Sequence, residues 1–125
     1  MSLNVYLYGI SKTVSCICCE CQHEHTREYR ECFYESNITH NLTKMADEAG
    51  IYKHLWRPEE LNITKARDLI KPIKAGLKKM ITDPDYFKKY NASNDWGTYN
   101  QFIPWVQNYL EACIDFPDAT IETSR

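Results

Sequence analysis

Glu35-Ser-Asn-Ile-Thr-His-Asn-Leu-Thr-Lys-Met-Ala-Asp-Glu-Ala-Gly50 is the stretch in which the hydrophobic period of the chain changes. Upstream of it, apolar and aromatic residues alternate with polar ones. Within it, Ile38, Leu42, Met45, Ala46 and Ala49 recur at helical spacing, as residues on one helix face do. Ser36 or Asn37 can cap that helix by accepting hydrogen bonds from its first unpaired N–H groups, and Gly50 closes it. Strand before and helix after predicts an α+β chain: a small antiparallel sheet with a Cys-rich knuckle, followed by a body of three to four helices.

Working upstream, residues 3 to 9 alternate through Val5, Tyr6, Leu7 and Tyr8 and break at Gly9, which reads as a short strand. From His25 to Glu35 a second strand is expected. One face would carry Arg27, Tyr29, Glu31 and Phe33, the other Thr26, Glu28, Arg30, Cys32 and Tyr34. Both faces are mixed, so the strand should be half solvated and antiparallel to the first.

Downstream, Pro58 interrupts the pattern and leaves Ile51 to Arg57 as an aromatic-rich connection. Thr64 can cap a second helix that aligns Leu69, Ile70, Ile73, Leu77 and Met80, with a kink or split near residue 71 because Pro72 lacks an N–H. Pro84 suits the first turn of a short helix carrying Tyr86, Phe87 and Tyr90. Residues 91 to 98 are a loop by composition. The last helix is expected from about Tyr99 to Ile114, with Phe102, Ile103, Val106, Leu110 and Cys113 inward. The tail from Ala119 to Ser124 alternates weakly and suits an edge strand. One domain is expected over 1-125: strands and knuckle in 1-35, helices in 36-118, and the tail in 119-125.

A chain of 125 residues can bury a real core without cross-links. Its 43% hydrophobic and 26% charged residues are ordinary for a folded soluble protein. The net charge of -2 provides no global attraction to nucleic acid or to an anionic membrane. Lys71, Lys74, Lys78 and Lys79 form the densest local basic cluster. No apolar run approaches the roughly 20 residues that span a bilayer, and the N-terminal residues lack the pattern of a signal peptide. A cytoplasmic protein is the expectation. The Asn-x-Thr triplets at Asn37, Asn41 and Asn62 then read as chance or as capping chemistry, since glycosylation needs a secretory route.

Cys16-Ile-Cys-Cys19-Glu-Cys21-Gln-His23-Glu-His25 holds two overlapping C-x-x-C spacings. Such a spacing lets a tight turn aim two thiolates at one cation, and nearby imidazoles extend the ligand set. Cys18, Cys21, His23 and His25 are the candidate metal ligands, and soft sulfur with imidazole favours a structural Zn2+. Structural zinc usually draws two ligands from each of two segments, so completion could come from the two histidines, from Cys32, His40, His54 or Cys113, or from a second subunit. The competing readings are a reduced metal-free hairpin, a disulfide, and redox catalysis. A reducing compartment disfavours the disulfide. A thioredoxin-type motif should precede a helix, and here a strand follows.

Two polar-aromatic segments are candidate ligand-binding sites. The first, Glu35 to Asn41, crowds Asn37, His40 and Asn41 at a helix entrance, where free N–H groups favour an anion. The second, Asn91 to Tyr99, sets Trp96 among Asn94, Gly97 and Tyr99, the combination of stacking ring and amides that reads a planar group. Between them Arg57 can clamp a phosphate or carboxylate. For each residue singly, capping, core packing or a surface ion pair is the commoner role. Catalysis has thin support: the chain has no G-x-S-x-G, no H-E-x-x-H and only four Gly.

Asn37-Ile-Thr-His-Asn-Leu-Thr-Lys-Met-Ala-Asp-Glu-Ala-Gly-Ile-Tyr52, followed by Leu55-Trp-Arg-Pro-Glu-Glu60, resembles a family of small bacteriophage and prophage proteins. In that family a C-x-x-C-Gly-His turn precedes the segment and an Asn-Gly-Trp-Gly loop follows it. Cys18, Cys21 and His23, then Asn94, Trp96 and Gly97, match that pattern, whereas Gln22 and Asp95 stand where it has Gly. The resemblance covers nearly the whole chain. It implies a phage setting in the host cytoplasm and carries no assigned activity. The expected function is non-catalytic binding of a small polar or nucleotide-like ligand. An interaction or inhibitor module for a host protein, with a structural metal knuckle, is the alternative, and a metal-dependent hydrolase the third.

Overall fold

The computed structural model describes the backbone of residues 2–17 and 24–125, and the side chains of residues 2–9 and 31–125. Three strands form one antiparallel sheet: β1 (Ser2–Ile17), β2 (Glu24–Thr39) and β3 (Thr120–Ser124). Their order is β2-β1-β3. Among the described residues there are five α-helices: α1 (Thr43–Glu48), α2 (Tyr52–Trp56), α3 (Arg67–Thr82), α4 (Pro84–Lys88) and α5 (Tyr99–Asp115). Short 3-10 turns at His40–Leu42 and Pro58–Leu61 join them. The α+β architecture is therefore as expected, with one helix more than the three to four predicted. Tyr52–Trp56, read as a connection, folds as α2 because Leu55 and Trp56 are drawn almost wholly into the core.

β1 is amphipathic. Leu3, Val5 and Leu7 are completely buried, while Asn4, Tyr6 and Tyr8, which alternate with them, are half-buried, as a period of two requires. The strand does not stop at Gly9. A Cβ there would overlap the Phe33 ring, so glycine lets an aromatic side chain lie across the strand and the ladder continues to Ile17.

The pairing shifts by one residue between Leu7 and Tyr8, which pair with Tyr34 and Cys32 and leave Phe33 as a bulge on β2. That extra residue upsets strict alternation. Phe33 and Tyr34, expected on opposite faces, both pack on the core, Phe33 stacking on Phe116 at 4.8 Å and Tyr34 on Tyr109 at 5.8 Å. β2 also runs further than expected, to Thr39, so Ser36 and Asn37 are strand residues and cap nothing. The cap belongs to Thr39, whose Oγ1 accepts from the Asn41 N–H at 3.3 Å.

The helices cover the buried face of β1. α3 runs unbroken through Pro72, so the predicted split does not occur; its buried face is Leu69, Ile73, Gly76, Leu77 and Met80. α5 likewise continues through Pro104 and buries Phe102, Val106, Tyr109 and Cys113. Gly76 lets α3 approach the Ile51 side chain, which a Cβ would overlap. One contiguous apolar cluster joins Leu3 and Leu7 to Trp56, Phe87, Phe102 and Tyr109, and each such large side chain contributes about 2 kcal/mol when withdrawn from water. β3 pairs along residues 4–8 of β1, forming the predicted edge strand. Its outer side is shielded: the Ile121 N–H donates to the Thr64 carbonyl at 2.9 Å, and the Ala66 N–H to Ala119 at 3.0 Å. Among the described residues no helix is long and apolar enough to cross a membrane.

Candidate functional site

The loop after α4 is built by its own polar residues. The Asn94 Oδ1 accepts from the Trp96 N–H at 3.0 Å, and the Ala92 N–H donates to the Gly97 carbonyl at 3.0 Å. Asp95 (φ 60°) and Gly97 (φ 113°) both have positive φ, a conformation that favours glycine and tolerates Asp. Gln101, in the first turn of α5, accepts from the Gly97 and Thr98 N–H groups at 3.1 Å each. This ties the loop to the helix and satisfies the N–H of the N-cap residue Thr98.

That loop is set against the end of β2. The Asn41 Nδ2 donates to the Trp96 carbonyl at 2.7 Å. Gly97 packs so closely that a Cβ would meet Thr39 Cγ2 at 3.0 Å and Asn41 Cβ at 3.1 Å. The two polar-aromatic segments, about 55 residues apart in sequence, are thus neighbours in space. Between them lies a crevice of about 250 Å³ lined by Asn37, Ile38, Thr39, Asp95, Trp96, Gly97 and Gln101. Trp96 is 68% exposed, and the Asn37 Nδ2 is held by Ser2 Oγ at 2.8 Å and Asn4 Oδ1 at 2.7 Å. No lining residue is basic, and the single charge is the Asp95 carboxylate.

Of the seven residues expected to bind ligand, Asn37 and Trp96 line this crevice, while Asn41 and Asn94 hold its walls. His40 lies outside it: its Nδ1 accepts from Trp56 Nε1 at 2.9 Å, satisfying an indole that is only 1% exposed. Arg57 bonds Tyr52 through Nε at 3.2 Å and Glu60 through Nη1 at 3.3 Å. Those contacts hold its guanidinium further toward the charged form. Tyr99 is a core residue whose hydroxyl donates to the Met80 carbonyl at 3.0 Å. Ile38, Thr39, Asp95, Gly97 and Gln101 also line the crevice and are not among the seven. All but Gln101 fall inside the two polar-aromatic segments, and Gln101 carries the signal of the Thr98-x-x-Gln101 spacing of a helix start.

Cys18, Cys21 and His23 lie outside the described residues. His25 is within β2, at the register position opposite Cys16, and Ile17 pairs with Glu24. Of the more distant ligands considered, Cys113 is buried in the core, which pushes its thiol up to about 12, and Cys32 is exposed. Among the described residues no three His, Cys, Asp or Glu side chains are grouped to hold a metal ion. A larger cavity of about 800 Å³, to which the sequence did not point, opens beside Gly9, Phe33, Lys65, Phe116 and Thr120.

Comparison with protein-family models, with curated proteins and with solved structures finds no match to this chain.

Proposed function

We propose that the chain is a non-catalytic binding protein whose crevice takes a small planar polar group of the nucleobase kind. The observation that carries this reading is Trp96, 68% exposed beside a crevice whose other lining combines the Ile38 side chain with amide, hydroxyl, carboxylate and backbone groups. An exposed ring next to fixed polar atoms offers stacking and hydrogen bonds together. The volume, about 250 Å³, suits a base and not a whole nucleotide. With no basic lining residue, a phosphate gains nothing there, so a nucleoside should bind as tightly as its nucleotide. In the setting implied by the phage resemblance, such a binder acts in the host cytoplasm.

Native mass spectrometry of protein from cells, with a thermal-shift panel of bases, nucleosides and nucleotides, tests the reading. Trp96→Ala should weaken the best binder by about tenfold to a hundredfold, the worth of one stacked base. If no compound raises the melting temperature, or Trp96→Ala binds as well as wild type, the reading fails. The same exposure of Trp96 supports a second reading, an anchor for a host protein, because Trp is enriched at interface hot spots. A stoichiometric partner retained by wild type and lost in Trp96→Ala would favour it.

A structural zinc at Cys18, Cys21, His23 and His25 is a separate part of the proposal. The pairing of Cys16 with His25 supports it, since it brings both ends of the Cys- and His-rich run together. Elemental analysis should find one zinc per chain, lost with Cys18→Ser or Cys21→Ser. A metal-free wild type would exclude it.

A further inference from the structure

The outer face of α3 is a second surface, separate from the crevice. Residues 71–89 carry six Lys, two Asp and no Arg, a net charge of +4 in a chain whose total is -2. Lys71, Lys74, Lys78 and Ile81 recur at intervals of three and four, so they share one face. All four are exposed, Ile81 by 54%. The ammonium groups of Lys71, Lys74 and Lys78 have no hydrogen-bond or ion-pair partner among the described residues. The neighbouring lysines are engaged: Lys79 donates to the Glu48 carbonyl at 3.0 Å, and Lys89 lies over the Tyr86 ring at 4.2 Å.

Alongside this stripe a cleft of about 530 Å³ lies between α3 and α4. Ala75, Lys78, Lys79 and Thr82 form one side, and Asp83, Tyr86 and Phe87 the other. Ala75 and Phe87 give it apolar lining, Lys78 and Lys79 face a single lining carboxylate, Asp83, and the Tyr86 hydroxyl donates to Glu48 Oε2 at 2.9 Å. We infer that this face docks an acidic polypeptide segment, whose carboxylates lie along Lys71, Lys74 and Lys78 and whose apolar side chain enters the cleft beside Ala75 and Phe87.

Charge complementarity selects that occupant. Three unpartnered ammonium groups spread over about two helical turns, roughly 10 Å, match carboxylates spaced along a short peptide. This face has no Arg, so its carboxylate contacts are single charge pairs made by lysine point charges. A long polyanion would also meet the remainder of the chain, which carries a net -6. The cleft and the exposed Ile81 give an apolar anchor a place that a purely ionic partner would not use.

The test uses the full chain and a fluorescein-labelled synthetic peptide of alternating Glu and Ser with two Leu at its centre, followed by anisotropy. Wild type should bind it, more weakly as salt rises. The triple variant Lys71→Glu, Lys74→Glu, Lys78→Glu should lose about tenfold or more, as three exposed ion pairs imply. Ala75→Gln leaves the charge alone and narrows the cleft, so it should bring the Leu-bearing peptide down to the affinity of its Leu-free version. All four positions are exposed on a helix, and circular dichroism verifies the fold of each variant. Equal binding by the triple variant, or by a peptide with Gln in place of Glu, overturns the inference. Tighter binding of a single-stranded oligonucleotide or of anionic phospholipid vesicles than of the peptide overturns it as well.

Discussion

At the scale of single residues, partner geometry decides roles that residue type leaves open. His40, Arg57 and Tyr99 have the chemistry of ligand contacts, yet each is engaged by the protein itself. A sequence holds donors and acceptors without recording which are paired, and here Trp56, Tyr52 and Met80 are the partners that engage them. His54 shows a further consequence of place. Burial lowers its pKa below the ordinary 6.5, with the Gly50 backbone opposing in part. Between the folded and the ordinary value the unfolded chain holds more protons, so stability rises with pH across that window. Stability is therefore expected to fall as pH drops through about 6.5. His54→Gln should flatten that loss, as measured by urea unfolding near neutral pH and at about pH 5.

At the scale of elements, caps and glycines set the boundaries. The expected helix entrance at Ser36 or Asn37 gives way to strand because the ladder with β1 extends to Thr39, where Ser2 pairs. Pairing that a distant strand supplies outweighs a local capping preference, which is worth only about 1 kcal/mol. Pro72 and Pro104 each sit inside a helix that continues past them, because both helices bury long apolar faces that offset one missing hydrogen bond. Gly97 couples the loop to β2. Its φ of 113° disfavours any side chain, and a Cβ would press on Thr39 and Asn41. Gly97→Ala should therefore cost about 1–3 kcal/mol by thermal or urea unfolding. It should also weaken any ligand of the crevice, through displacement of Trp96.

At the scale of the whole molecule, one apolar cluster unites the strands with the helical body. Cys113 lies within it, wholly buried, with its thiol pushed up to about 12, whereas Cys32 is exposed on β2. Both the shielding and the scarcity of thiolate slow alkylation. In the native protein, iodoacetamide should modify Cys32 about a thousandfold faster or more than Cys113, and the difference should vanish in denaturant. Peptide-resolved mass spectrometry measures both rates, and comparable native rates would contradict the packing of α5. The sequence by itself determined the α+β class, the Pro84 helix, the last helix and the edge strand, because each is encoded in local period and turn chemistry. It also marked the two polar-aromatic segments. Only the tertiary structure decided that they form one crevice, that Phe33 bulges inward over Gly9, and that Arg57 stands outside the site. These depend on contacts between residues distant in the chain, and no local pattern records which groups will meet.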